Sequence, residues 1–383
     1  MKLSSFLVGI AAFLGLAAVA HAEIVIGQTA GLTGAASSSV QDMTLGARLI
    51  IDAVNAEGGV NGEKIRLVTI DDELLPEKTL SNATRLIEKE KAVALFLTRG
   101  TPNTEILLPL LAKTGVPLIA PSTGAMSLHQ PVIREVFNVR PTYQLEAQKA
   151  VELLASMNVK NRVGVVYTGD TFGEDALAGL KKGFSAAGIT PAFVVSYDRK
   201  TENVDEAVKL ASTPIEGEMP SVIIVAPNRI ATGMIRKLRS AGNKAYMATL
   251  STNASDGFIK NLGVDANYVI VSQAFPSERA FQFPIVRKVS GLLAKSGKGQ
   301  GSSPSMLEGA IAAEVLVGAL RGCAPKCTSA RIIEALESGR PFDVGLLDQQ
   351  VVFTKKDHSG IRYTDTSIIV GVDENGKGGR FRR

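Results

Sequence analysis

Two short segments carry residues whose types and spacing suit the binding of a small anion. Thr98-Arg99-Gly100-Thr101 follows the apolar run 93–97 and precedes Pro102, and Pro121-Ser122-Thr123-Gly124-Ala125 follows the run 117–120. In the first, Thr101 has an N-cap side chain and Pro102 a ring suited to the first helical position. A helix start offers free N–H groups and the positive end of the macrodipole, which together accommodate a carboxylate without any basic residue. Ordinary capping with no ligand is the competing reading. Arg99 adds a guanidinium able to grip a carboxylate through two parallel bonds, although a solvated or ion-paired arginine explains it equally well.

Catalysis finds little support. Past residue 22 the chain has two histidines, His129 and His358, and no Gly-x-Ser-x-Gly elbow, so a nucleophile, base and orienting group are not in view. No cofactor is expected, because the Gly-x-Gly of 295–303 follows a helical stretch rather than a strand and reads as a flexible loop. Cys323 and Cys327 stand four apart. In an oxidising compartment such a pair is expected to form a short-loop disulfide, whereas a zinc site would need two more ligands.

That compartment is set by the first 22 residues. Lys2 is followed by an apolar run over 6–19 and by Ala20-His21-Ala22, the pattern of a cleaved secretory signal peptide. The run is too short for a membrane span, and no cysteine follows it to take a lipid. The expectation is a soluble periplasmic protein of 383 − 22 = 361 residues. Losing Lys2 lowers the formal charge from +5 to +4, too little to demand a polyanionic partner such as nucleic acid. A composition 45% hydrophobic and 21% charged is globular, with length for two domains.

From Glu23, β-branched runs alternate with amphipathic stretches. Strands are expected at 24–26, 65–70, 93–97 and 117–120, with helices near 44–56, 76–89 and 102–113. A second series opens near Tyr143, with helices near 144–157, 174–187, 204–210 and 230–241 and strands at 162–167, 192–197, 221–225 and 268–272. Two more helices, 281–294 and 305–320, flank the flexible loop. The runs 350–354 and 367–371 suggest a terminal hairpin, and 377–383 a mobile basic tail. The alternation implies α/β architecture: two doubly wound, Rossmann-like lobes with a cleft where the carboxyl ends of their strands face each other.

With these elements in place, the sequence resembles the type I periplasmic binding proteins of the branched-chain amino-acid (Leu/Ile/Val-binding) kind over nearly all of the chain past the leader. The carrying segments are Gly31-Leu-Thr-Gly34, Asp52-Ala-Val-Asn-Ala-Glu-Gly-Gly-Val-Asn-Gly62, Asp71-Asp72, Gly115-Val-Pro-Leu-Ile-Ala-Pro121 and Tyr167-Thr-Gly-Asp-Thr-Phe-Gly173. The resemblance implies an ABC-importer solute receptor with a Venus-flytrap fold and three hinge crossings, which delivers its ligand to a membrane permease. It implies lobe one over 23–141 plus 276–345, lobe two over 142–275 plus 346–371, and a tail over 372–383. A monomer is expected. Repressors that share this fold carry a DNA-reading helix-turn-helix where this chain has its leader.

In the resembling family the two strand exits hold the ligand's carboxylate, which points here to Thr101, Ser122 and Gly124, with Thr123 between the last two. Thr stands where the family has Ser at the first position, and Gly where it has Thr at the last. The family clamps an α-ammonium with acids from the second lobe, and an ungapped carry-over puts Tyr143 and Leu250 in their places. An ammonium buried without an acceptor is costly. The expected ligand is therefore a carboxylate lacking an α-amino group, such as an aromatic, branched aliphatic or keto acid, with Tyr143 stacking or donating. Branched-chain or other amino acids remain the alternative if Asp170 replaces the acids, if Asn228 accepts from an ammonium, or if a slip in alignment brings Ser251 or Asn253 into place. A periplasmic sensor that signals rather than delivers is the alternative of another class.

Overall fold

The computed structural model describes residues 23–382, apart from 158, 160–161, 298–300, 325, 348 and 375–379. The expected leader lies outside the described residues, as does Arg383.

The first lobe winds through β1 (Glu23–Ala30), α1 (Ser37–Ala56), β2 (Lys64–Asp71), α2 (Pro76–Glu88), β3 (Ala94–Phe96), α3 (Thr101–Glu105), α4 (Leu108–Thr114), β4 (Leu118–Ile119) and β5 (Val136–Phe137). Its strands pair in parallel in the order β2-β1-β3-β4-β5. Parallel strands need helical crossovers, and these cover both sheet faces. One face packs on α1 through Val40, Met43, Ala47 and Ile50, the other on α2 and α4 through Leu86 and Leu111.

The second lobe repeats the winding with α5 (Tyr143–Ser156), β6 (Val163–Thr168), α6 (Thr171–Ala187), β7 (Phe193–Tyr197), α7 (Asp205–Ala211), β8 (Ser221–Val225), α8 (Asn228–Ser240), β9 (Met247–Thr249), α9 (Asp256–Leu262) and β10 (Val269–Gln273). The order β7-β6-β8-β9-β10 matches that of the first sheet strand for strand. The chain then returns to the first lobe for α10 (Pro284–Lys295), α11 (Pro304–Gly322) and α12 (Ser329–Leu336). It ends in β11 (Asp365–Val370) and β12 (Arg380–Arg382), antiparallel additions beside β10.

Backbone passes between the two cores three times. Val139 belongs to the first core and Tyr143 to the second; Val271 to the second and Ala274 to the first; Ile361 to the first and Ile369 to the second. The crossings lie side by side: Ile361 N donates to Val139 O at 2.8 Å, and Thr364 Oγ1 to Gln273 O at 3.0 Å.

Several local expectations are corrected. The helix expected over 102–113 is broken into α3 and α4, with Pro109 in the first turn of the second piece, where its missing N–H is tolerated. The hairpin between 350–354 and 367–371 does not form. Val351 instead pairs with Phe342, and Val351, Phe353 and Ile361 are buried in the first core, which moves the third crossing from near 345 to 361–369. The terminal residues are not wholly loose, since Arg380–Arg382 pair with Ile368, Ile369 and Val370. Strands β5 and β9 and helices α9 and α12 went unread.

α1 and α11 approach backbone to backbone. A Cβ on Gly46 would lie 1.9 Å from Met306 O, and one on Gly309 would lie 1.8 Å from Met43 O. This contact carries Ser39 at the start of α1 and Glu308 on α11 to the same end of the lobe. The Cys323–Cys327 disulfide, with Cα atoms 5.1 Å apart, closes the chain just beyond α11.

Candidate functional site

In a doubly wound sheet, ligands bind beyond the carboxyl ends of the strands, where the winding reverses direction. Both sheets reverse at matching places, between β1 and β3 and between β6 and β8, and the two ends face one cavity. Ala36, Leu74, Arg99 and Gly100 line it from the first lobe, and Tyr143, Phe172, Arg199, Pro227 and Thr252 from the second. Its volume is about 20 Å³, room for roughly one water molecule. The lobes are drawn together by Arg229 N donating to Ala35 O at 2.9 Å and Thr171 Oγ1 to Glu105 Oε2 at 2.7 Å. Anything larger than water enters only if the lobes separate.

Arg99 is the charged group of the first wall. It is 5% exposed, and its guanidinium donates to Ser122 Oγ at 2.8 Å, Ser39 Oγ at 3.3 Å and Thr252 O at 2.8 Å. All three acceptors are neutral, and no carboxylate among the described residues pairs with it directly. Burial is the main influence on Arg99 and lowers its pKa, opposed by Tyr143 and Glu308. A guanidinium stays charged nonetheless.

Behind this wall lies a second arginine, this one paired with carboxylates. Arg140, 1% exposed, meets Glu146 Oε1 at 2.8 Å and Glu308 Oε1 at 3.2 Å, and donates to Ser251 Oγ at 2.5 Å. Burial alone would lower its pKa, but Glu308, Tyr143 and Glu146 outweigh it and the net direction is up. Ser122 links the two arginines, accepting from Arg99 and donating to Glu308 Oε1 at 2.7 Å. Glu146 is fully committed, since its Oε2 accepts from Ser251 N at 2.9 Å and Ser272 Oγ at 2.6 Å. The Arg140 guanidinium also sits 5.1 Å from the Tyr143 ring centre, and Tyr143 meets Phe172 edge-on at 5.0 Å.

The remaining candidates fall in several places. Thr101 is not an N-cap: α3 begins at Thr101 itself, Gly100 precedes it with φ +96°, and Thr101 Oγ1 pairs with Thr123 Oγ1 at 2.7 Å. With five residues α3 carries little macrodipole. Gly124 lies where a Cβ would come within 2.5 Å of Pro141 O, so the first crossing passes through the space that a larger residue would fill. Asp170 caps α6, accepting from Phe172 N and Gly173 N, and is bound to Arg199. Asn228 opens α8, 4% exposed, with its Nδ2 unpartnered. Leu250 is fully buried in the second core and does not line the cavity, whereas Ser251 beside it joins the Arg140 network. Asn253 binds Ala226 O and Thr249 Oγ1.

The model of the periplasmic binding protein family matches residues 23–377. The chain belongs to that family. This periplasmic binding protein is 24% identical over 347 residues to Leu/Ile/Val-binding protein homolog 3 of Brucella melitensis biotype 1, covering 88% of this chain and 90% of the relative. The crystal structure of a substrate-binding periplasmic protein from Ralstonia solanacearum superposes with a TM-score of 0.84 at 29% identity, covering 94% of this chain and all of that one. A solute-binding protein of an ABC transporter from Rhodopseudomonas palustris BisB5, in complex with 3,4-dihydroxybenzoic acid, reaches 0.78 at 16% identity, covering 94% of this chain and 95% of that one. Both solved structures share the type I fold of two α/β lobes. The family is one of periplasmic solute-binding proteins, and no helix among the described residues is long and apolar enough to cross a membrane.

Of the residues that line or back the candidate site of this binding protein, Arg140, Glu146, Arg199, Phe172, Thr252 and Glu308 were not read from the sequence. Arg140 and Glu146 carried a usable signal, because they flank Thr142 and Tyr143 at the start of a new lobe. Glu308 lies 186 positions from its partner Ser122. Its one cue was a carboxylate among the apolar residues that open the helix, and Glu314 one turn and a half further on offered the same cue without being part of the network.

Proposed function

We propose that this protein is the solute receptor of an ABC importer and that its ligand is a small carboxylate with an apolar or aromatic body and no α-ammonium. The observation that carries this reading is Arg99: a buried guanidinium on the cavity wall with three neutral acceptors and no paired carboxylate. A ligand carboxylate supplies the missing charge through a bidentate bond, stronger than a neutral hydrogen bond. Tyr143 and Phe172 offer aromatic surface to the ligand's body. An α-ammonium finds poor terms here, because no carboxylate among the described residues lines the cavity and the acids behind it, Glu146 and Asp170, are held by arginines. The aromatic acid in the Rhodopseudomonas palustris protein is a ligand of this chemistry on the same fold.

The mechanism is closure by differential affinity. The carboxylate docks on Arg99 in the open form, and contacts from Tyr143, Phe172 and Arg199 become available only as the lobes meet, which favours the closed form. A membrane permease then reads the closed pair of lobes. Branched-chain amino acids are the second reading, favoured by the Leu/Ile/Val-binding designation of the Brucella melitensis relative. Calorimetric titration with aromatic, aliphatic and keto acids beside leucine, isoleucine and valine separates the two. Tight binding of the amino acids with none of the others overturns the first.

A further inference from the structure

Ser272 and Gln273, at the end of β10, point to opposite sides of the sheet as the pleat requires. Ser272 donates to Glu146 and belongs to the network behind the cleft. Gln273 faces away, into a separate cavity of about 420 Å³ whose walls include Phe275, Phe283, Leu346, Gln349 and Tyr363. This volume lies within the range of small-molecule sites, roughly 300 to 1,000 Å³, and none of the described residues lining it is charged.

Its wall holds an unanswered amide. Gln273 is 3% exposed, yet among the described residues neither its Nε2 nor its Oε1 has a hydrogen-bond partner, and Gln349 Oε1 on the same cavity lacks one as well. Buried amides in folded proteins are almost always paired. Here one donor group and one acceptor stand side by side against an apolar, aromatic lining. A neutral group that itself accepts and donates in cis answers both, as a carboxamide or lactam does. A carboxylate answers only the donor and enters a pocket with no cation.

The geometry points to a second small-molecule site at the hinge, built for a neutral, largely apolar or aromatic molecule bearing a carboxamide-type group and distinct from the anion-binding cleft. Its walls come from both lobes. Phe275, Phe283 and Leu346 pack with the first core, while Gln273 ends a strand of the second sheet and Tyr363 lies on the third crossing. Two of the crossings are joined at this place by Thr364 Oγ1 donating to Gln273 O. Opening of the lobes moves one wall against the other, so occupancy here and occupancy of the cleft are linked, each altering the other's affinity by the same factor.

The test uses the purified protein with benzamide and the lactam isoindolin-1-one as probes, followed by calorimetry and saturation-transfer NMR. Binding is expected to be saturable, to fall at least tenfold in Gln273→Leu, and to vanish in Leu346→Trp, which fills the cavity from its rim. It is expected to survive Arg99→Met, and in that background benzoate should bind at least tenfold more weakly than benzamide. Loss of benzamide binding in Arg99→Met that Leu346→Trp does not reproduce assigns the amide to the cleft and overturns the proposal. So does the absence of saturable binding, or binding indifferent to Gln273→Leu and Leu346→Trp; a cavity holding only water gives the former. If Gln273→Leu or Arg99→Met does not fold, Leu346→Trp decides alone. Failure of the cleft to bind carboxylates leaves these outcomes unchanged.

Discussion

Arg99 of the first lobe donates to the backbone carbonyl of Thr252 in the second lobe at 2.8 Å. The guanidinium proposed to receive the ligand's carboxylate is thus also a fastener of the closed cleft. Its removal acts on both. Arg99→Met is expected to weaken carboxylate binding by about 10- to 100-fold, the loss of one charge-assisted contact of roughly 1.5 to 3 kcal/mol. Titration calorimetry reads the affinity, and small-angle scattering should show a larger share of open molecules without ligand. Unchanged affinity removes Arg99 from the site.

Arg140 and Glu308 form a buried pair that the ligand does not need to touch. Breaking such a pair strands a charge, at a cost of about 3 to 5 kcal/mol. Glu308→Leu should therefore lower stability in chemical denaturation by that amount. Arg140→Met with Glu308→Leu together should cost less than the sum of the single changes. Additive losses would mean that the pair contributes no coupling.

The crossing of α1 and α11 is set by two glycines whose missing side chains let backbone touch backbone. Gly309→Ala is expected to destabilise by about 3 kcal/mol through overpacking. Gly291→Ala on α10, where an added Cβ meets nothing within 4 Å, serves as the control. It should stabilise by about 0.5 to 1 kcal/mol. Thermal melts of the two variants should move in opposite directions.

His129 introduces a pH dependence of known sign. Burial first, then Arg362 and Arg140, hold its pKa down from 6.5 to about 4, while Asp357 acts in the other direction. Its Nδ1 lies 2.8 Å from Ser359 Oγ. Between those values the unfolded chain takes up a proton that the folded one refuses, so stability falls as pH drops from 6.5 to 4 and levels off below. The loss attributable to this group is about 3 kcal/mol. His129→Gln should flatten this part of the stability–pH curve, and an unaltered slope would place its origin elsewhere.

The fold was largely legible because its signals are local. The buried strands β6 and β8 are short β-branched runs, and Gly188 ends α6 in the left-handed conformation expected of it. β9 and α9, three and seven residues long, were lost although β3 and α7 of the same lengths were legible, because the longer apolar run 93–97 marked the first and the spacing between strands marked the second. The third crossing was misplaced for a different reason: 350–354 is a short run of β-branched and aromatic residues that reads as a strand, and the partner of Val351, Phe342, could not be told from sequence. At the site, Arg99 and Tyr143 were legible as unusual residues at strand exits or lobe starts. Their setting was not. Leu250 and Ser251 are neighbours, yet one is core and the other meets Arg140, a difference of one position that patterns do not resolve. Glu308 became a site residue only through the close approach of α1 and α11.

The central claim is that the cleft takes a carboxylate and offers an α-ammonium nothing. Its most direct test is calorimetric titration of the purified protein with matched pairs that differ at one carbon, 4-methyl-2-oxopentanoate against leucine and 3-methyl-2-oxobutanoate against valine, with benzoates alongside. The account predicts saturable binding by members of the keto or aromatic acids, lost in Arg99→Met, and no heat from the amino acids. Micromolar or tighter binding of leucine or valine, with silence from their keto counterparts, contradicts it.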